Sequence, residues 1–154
     1  MKQGGKMTWW AIGAIVLGAL VLTLIVVPPL VHRFMGPSLQ SRVENVYAPA
    51  DVRLQDLQAL GFGLESKGAT QLRGNGALVL TAKELHFFQF TPASDTRIPL
   101  DAITEVKTVK SHLGKTIGRD LLHVSFAADG TPDSMAWAVT DVSAWTGLLR
   151  ENAH

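Results

Sequence analysis

Five histidines and no cysteine limit the chemistry that this chain could carry out. The histidines, His32, His86, His112, His123 and His154, are far apart and show none of the close spacings that are typical of zinc sites. No serine has the glycine-flanked context of a nucleophile elbow, and the paired glycines do not form a phosphate-binding loop. We therefore predict no catalytic residues, no metal ligands, no cofactor and no enzymatic activity.

One group of basic residues is dense enough to bind a partner. Lys107, Lys110, His112, Lys115 and Arg119 occur in a stretch without an acidic residue. Such residues could contact anionic lipid headgroups, where each Lys or Arg contributes about 1 kcal/mol near the surface, or an acidic patch on a protein. Alternatively, they belong to a solvated hairpin whose lysines protect an edge strand from aggregation. The sequence leaves these three interpretations open.

Composition excludes several other classes of protein. The formal net charge is +1, so there is no large basic field for bulk nucleic-acid binding. The absence of cysteine excludes disulfides, thiolate metal sites and cysteine nucleophiles. We predict no nucleic-acid partner.

The uncharged, mostly apolar run from Met7 to Val31 predicts that the chain is attached to a membrane. About 20 apolar residues in a helix cross a bilayer core of roughly 30 Å, and a helix satisfies its own backbone polar groups in lipid. A cleaved signal peptide has a shorter apolar core with a small-residue cleavage site close behind it. We predict a polar tail over 1–6, a transmembrane helix over 7–31 and a single-pass protein of the cell (inner) membrane.

Particular residues of this run have expected roles. Aromatic rings at one end and prolines at the other would mark its boundaries: Trp9, Trp10, Pro28 and Pro29. Small residues near one face would allow close packing against another helix: Ala11, Ala14 and Gly18.

The charges flanking the run determine its expected orientation. Lys2 and Lys6 on one side nearly balance Arg33 and Arg42 on the other, so the positive-inside rule is almost tied. Translation from Met7 would remove both lysines and favour a cytoplasmic domain, which is the orientation that we predict.

Residues 32–62 are expected to form a juxtamembrane linker. Within it, residues 51–60 could form a short helix, with Asp51 as the cap, leucines at near-helical spacing and Gly61 past the end. An irregular segment that leads into the domain is the alternative.

Residues 63–154 are expected to form one mainly β domain. Runs of β-branched and aromatic residues alternate with glycine- and proline-containing turns, and residues 141–152 follow as a helix capped by Asp141. We predict an α+β, mainly β fold: about seven antiparallel strands in a bent sandwich or barrel, capped by the terminal helix. The expected core residues are Leu78, Leu80, Phe87, Ile98, Ile103, Val124 and Trp145.

Several strand and turn motifs resemble those of pleckstrin-homology-like and GRAM-like domains. Arg73–Thr81 resembles their G-x-L-x-L-T strand, and Leu85–Phe87 resembles their L-x-F strand. Arg97–Val106 resembles an I-P-L-x-x-I-x-x-V segment, and Ala138–Trp145 resembles the last strand and helix. The resemblance covers Leu64 to Asn152 and extends to small bacterial proteins that join one amino-terminal anchor to such a domain.

This resemblance implies binding rather than catalysis. Such domains bind phosphoinositides, other acidic lipids, peptides or protein surfaces. In lipid-binding members, basic residues cluster between the first two strands, where this chain offers only Lys67 and Arg73. The resemblance therefore implies a poor phosphoinositide site.

Together, these features predict a non-catalytic, membrane-anchored interaction module. The expected role is that of an accessory or stabilising subunit in a larger membrane complex, such as an energy-transducing or photosynthetic one. It would dock on integral membrane proteins through its helix and its β domain. The alternative is a stand-alone module at the bilayer surface that binds anionic lipid or has a regulatory role.

Overall fold

The computed structural model describes residues 16–17 and 39–152. The chain divides into two compact units, Met1–Pro37 and Ser38–His154, and residues 16–17 of the first unit are helical. Among the described residues, no helix has the length and apolar character needed to span a membrane. The predicted span over 7–31, with its boundary and packing residues, lies outside the described residues except for 16–17 and stays a prediction.

The second unit contains a seven-stranded antiparallel sheet followed by a helix. Residues 39–44 are helical (α1) and precede the sheet. The strands are β1 (Leu54–Leu64), β2 (Gly74–Leu80), β3 (Glu84–Gln89), β4 (Ser94–Pro99), β5 (Ile103–Val109), β6 (Leu121–Ala128) and β7 (Thr131–Ala138). Helix α2 spans Val142–Asn152. The prediction of a mainly β fold with seven antiparallel strands and a terminal helix is confirmed.

The long strand β1 lies in the middle of the sheet, whose order is β4-β3-β2-β1-β7-β6-β5. Its first part pairs with β2, from Leu54 opposite Leu80 to Gly61 opposite Gly74. Its last part pairs with β7, where Leu64 lies opposite Met135. The register of β1 shifts along both pairings, and such irregularities bend a strand.

The sheet curves tightly around one aromatic side chain. The rings of Phe87 on β3 and Trp137 on β7 are 6.1 Å apart, although β2 and β1 lie between these strands. In a flat sheet, strands three places apart would be separated by about 14 Å. Gly61 and Gly76 make this approach possible, because a Cβ atom on either would lie 2.6–2.7 Å from the Phe87 ring.

The concave face of the curved sheet and α2 enclose the main core. All seven residues expected in the core belong to this cluster: Leu78, Leu80, Phe87, Ile98, Ile103, Val124 and Trp145. The amide of Ala144 donates to the Asp141 carboxylate at 2.9 Å, which is the expected cap of α2. At the other end of α2, the Arg150 guanidinium donates twice to the Val106 carbonyl on edge strand β5.

Two smaller apolar clusters lie outside the main core. Leu39 and Val43 of α1 pack with Ala77, Val79 and Phe88 of β2 and β3. The other cluster joins β1, β6 and β7 through Phe62, Leu121, Ala136 and Ala138, and Ile117 of the β5–β6 connection packs on it.

The structure corrects the expectation for residues 51–60. Only Pro49–Asp51 form a short 3-10 turn, and β1 begins at Leu54, inside the segment that was expected to be a linker. The leucine spacing did not mark one helical face: Leu54 packs on the main core, whereas Leu57 packs on the α1 cluster.

Candidate interaction surface

Two long connections of the domain are joined to each other. These are residues 65–73, between β1 and β2, and residues 110–120, between β5 and β6. The Lys115 ammonium donates to the Gln71 carbonyl, and the Nε2 of His112 lies 3.0 Å from the Gly63 carbonyl oxygen. His112 and Lys115 also exchange two backbone hydrogen bonds of 3.0 and 2.9 Å.

Each connection is also held internally by a side chain. Gln71 donates to the carbonyls of Leu64 and Gly68 at 2.6 and 2.8 Å and accepts from the Leu64 amide at 3.1 Å. In the second connection, the Thr116 hydroxyl donates to the Lys110 carbonyl at 2.8 Å. Both loops therefore have a defined shape, although they carry mostly polar residues.

An exposed leucine lies next to a basic residue in the β1–β2 connection. Leu72 is 77% exposed, directly after Gln71 and directly before Arg73, whose guanidinium lies 5.9 Å from the centre of the buried Phe62 ring. We call the following residues the two-loop surface: Lys67, Leu72, Arg73, Lys110, Lys115 and Arg119. The two connections thus carry five basic residues, two acidic residues, Glu65 and Asp120, and one large exposed apolar side chain.

The structure places the predicted basic residues in different environments. Lys107 pairs with Glu105 at 2.6 Å, and Lys110 pairs with Asp120. These two acids lie just outside the acid-free stretch. Both ion pairs are exposed and contribute at most about 1 kcal/mol, so each lysine can exchange its acid for a partner.

The other basic residues of the two connections differ in whether their side chains are free to contact a partner. His112 is buried, and Lys115 is half-buried with its ammonium on Gln71. Arg119 and Lys67 are exposed, and neither makes a hydrogen bond or an ion pair with any other residue in the described part of the chain.

Two buried histidines, one on the β5–β6 connection and one on β6, meet edge to face. The ring centres of His112 and His123 are 5.3 Å apart, and Nδ1 of His123 is buried without a hydrogen-bond partner among the described residues. Burial lowers the pKa of His123, and the neighbouring His112 and Lys107 lower it further. Across 39–152, no group of three or more His, Asp or Glu residues could hold a metal ion.

A separate polar network fastens the segment around α1 to the sheet. The Tyr47 hydroxyl donates to the Glu84 carboxylate and lies 2.9 Å from Nδ1 of His86. Arg42 pairs with Asp95 at 2.8 Å and donates to the Gln89 carbonyl at 3.1 Å. We call these residues the α1 clasp.

His86 has the chemical type of a catalytic base but the environment of a structural residue. It is completely buried, and its ring stacks on Phe88 with the centres 3.7 Å apart. Burial, with the nearby Arg97 charge, lowers the pKa of His86 to about 4. Because no substrate can reach the ring, we assign it to the packing of α1.

Three features of these sites were missed by sequence reasoning. Leu72 carries little sequence information beyond being one apolar residue in a polar loop. Glu105 and Asp120 could have been noticed as acids that border the basic stretch. Tyr47 lies in a segment that was expected to be a linker, and nothing in the sequence connects it to His86.

Comparison with known proteins supports the fold and names no function. No family model matches the chain, and no curated protein matches it. The C-terminal domain of an unknown protein from Leishmania infantum is similar in structure, with 13% identity, a TM-score of 0.51, and coverage of 76% of this chain and 95% of that one. The 8S snRNP assembly intermediate contains a chain with 10% identity, a TM-score of 0.48, and coverage of 67% and 79%.

These findings overturn the family expected from the sequence. The assignment to a family of bacterial single-span proteins with a pleckstrin-homology-like or GRAM-like domain is wrong, because no family model matches the chain. The motifs behind it are core and turn positions, such as Leu78, Leu80 and Phe87. Alternating apolar residues at such positions are general to antiparallel sheets.

Proposed function

We propose that this chain is a non-catalytic interaction module that docks on an acidic surface of a partner protein through the two-loop surface. The observation that carries the proposal is the exposure of Leu72 on one of two joined loops that together carry five basic residues and are held in shape by Gln71 and Lys115. A large apolar side chain can fill a pocket on a partner, while the surrounding charges steer the encounter.

The uncharged run over 7–31 extends this proposal to the membrane. An anchor there would confine the domain to the bilayer surface and raise its effective concentration for partners in the same membrane. The proposed role is thus an accessory subunit that is associated with integral membrane proteins, and the proposed location of the domain is the cytoplasmic side.

Affinity purification in mild detergent tests the docking site. The full-length chain should recover a partner in stoichiometric amount, and Leu72→Asp should reduce this recovery by about tenfold or more, because it places a negative charge where the partner presents acids. Val46→Asp is the matched control, since Val46 is also an exposed apolar residue, at 45%, but lies outside the two-loop surface. Equal recovery with Leu72→Asp and with the wild type would refute the proposed site.

An anionic bilayer is the second candidate partner for the same surface. Five Lys and Arg residues close to a membrane would each contribute about 1 kcal/mol, and Leu72 could enter the headgroup region. Flotation of a chain that lacks 7–31 with phosphatidylserine vesicles separates the two candidates, because the proposed anchor would itself attach the full-length chain to a vesicle. Vesicle binding that falls in the double variant Lys67→Glu/Arg119→Glu supports lipid as the partner. If the wild-type surface does not bind vesicles, an acidic protein surface is the remaining candidate partner.

A further inference from the structure

The buried pair His112 and His123 lies where the two-loop surface is attached to the sheet. His112 and His123 are 6% and 9% exposed, and the centres of their rings are 5.3 Å apart. The Nε2–H of His112 donates to the Gly63 carbonyl at 3.0 Å, and its backbone pairs with Lys115, whose ammonium holds Gln71. His112 therefore ties the β5–β6 loop to β1 and, through Lys115, to the β1–β2 loop.

The two rings differ in their hydrogen-bond partners. The Nε2–H of His112 donates to the Gly63 carbonyl. Nδ1 of His123 is buried without a partner among the described residues, and a proton there would be a buried donor without an acceptor. A second positive charge on the adjacent ring would add repulsion.

The surroundings of the pair contain charges of both signs. Lys107 lies opposite His123 on β5, and uncharged Ala136 lies opposite it on β7. Glu105 and Glu65 favour the charged form of His123, but each already has a partner. Glu105 pairs with Lys107 at 2.6 Å, and Glu65 accepts from the Ser134 hydroxyl at 2.5 Å. His123 is on strand β6, whereas His112 is on a loop. The side chain that can move when His123 is protonated is therefore His112.

We infer that this histidine pair makes the two-loop surface acid-sensitive: protonation of His123 displaces His112, breaks its bond to Gly63 and separates the two loops. The inference rests on the proposed function only insofar as this surface is the one that docks. Acid would then release a partner, even though it adds positive charge, because the ordered arrangement around Leu72 is lost.

Amide hydrogen exchange on the full-length chain tests the inference without a partner. Exchange is measured at about pH 7.5 and at a pH below the midpoint of the His123 ring titration, which is located by NMR and which burial shifts below the ordinary histidine pKa of about 6.5. The rates are corrected for intrinsic exchange. Protection in residues 65–73 and 110–120 should fall by about tenfold or more in the wild type at the lower pH. His123→Gln should keep its protection, and His86→Gln, at the third buried histidine, should respond like the wild type in these loops. Unchanged protection in the wild type, or an equal loss in His123→Gln, would overturn the inference.

An NMR titration of the wild type gives a second test that needs no variant. Loop amide signals should change over the same pH range as the ring signals of His123. Loop signals that stay constant while His123 titrates would contradict the inference. Failure of Leu72→Asp to weaken partner recovery would remove the docking proposal and leave these loop measurements unaffected, so the two failures are distinguishable.

Discussion

The hydrogen bonds of Tyr47 and His86 in the α1 clasp determine which nitrogen of His86 carries a proton. A hydroxyl has one proton, and Tyr47 donates it to Glu84, so its oxygen accepts the Nδ1–H of His86. The other nitrogen of His86, Nε2, is then an unprotonated atom 3.9 Å from the Asp95 carboxylate. Burial, together with Glu84, raises the pKa of Tyr47 above its usual range, so both rings of the clasp are neutral at neutral pH.

The depressed pKa of His86 predicts a loss of stability in acid. In the folded chain this pKa is about 4, below the ordinary value of 6.5. As the pH falls from about 6.5 to about 4, the unfolded chain binds a proton that the folded chain does not, which lowers the free energy of unfolding by up to about 3 kcal/mol.

Urea unfolding at a series of pH values measures this effect. In His86→Gln, the pH dependence should be shallower over this range, because the group that titrates only in the unfolded chain is gone. If the variant and the wild type lose stability in parallel, a group other than His86 is responsible.

At the scale of elements, two glycines with opposite surroundings give a matched pair of variants. A Cβ on Gly76 of β2 would lie 2.3 Å from the Phe88 carbonyl oxygen, whereas one on Gly147 of α2 would meet nothing within 4 Å. Gly76→Ala should therefore destabilise the fold by about 1–3 kcal/mol or more. Gly147→Ala should stabilise it by about 1 kcal/mol, because alanine favours a helix. Chemical denaturation measures both changes in the free energy of unfolding. A Gly76→Ala domain as stable as the wild type would mean that the curvature of the sheet does not depend on the close contacts at Gly76.

Elements whose causes are local were predictable from the sequence, and elements whose causes are distant were not. Helix α2 has its cap, Asp141, and its apolar spacing within one short segment. Strand β1 depends on partners in β2 and β7 that are far along the chain, and the register shift after Asp56 disturbs the alternation that would have revealed it.

In the two-loop surface, too, features with local causes could be predicted from the sequence and features that depend on distant contacts could not. The basic residues of the β5–β6 loop could be recognised by charge alone. The burial of His112 could not, because it follows from a contact with Gly63 on β1. The exposure of Leu72 likewise depends on how the β1–β2 loop is folded around Gln71.

At the scale of the whole molecule, the proposed anchor gives a direct cellular prediction. The full-length chain should sediment with membranes and resist alkaline extraction, because a long apolar helix is removed from lipid only at high cost. A chain that lacks 7–31 should appear in the supernatant, whereas a chain that lacks only 2–6 should behave like the full-length chain. Release of the full-length chain by alkaline carbonate would contradict the anchor.

The sheet order also suggests where the molecule could be divided. Strands β1 to β4 neighbour one another, as do β5 to β7, and within the sheet the two groups are hydrogen-bonded to each other through β1 and β7. The backbone passes between them at the turn Leu100–Ala102. A cut at exposed Asp101 leaves every strand whole and gives two fragments whose apolar faces complete each other. The domain is thus suited to fragment complementation, in which two bait proteins that bring the halves together would restore the fold.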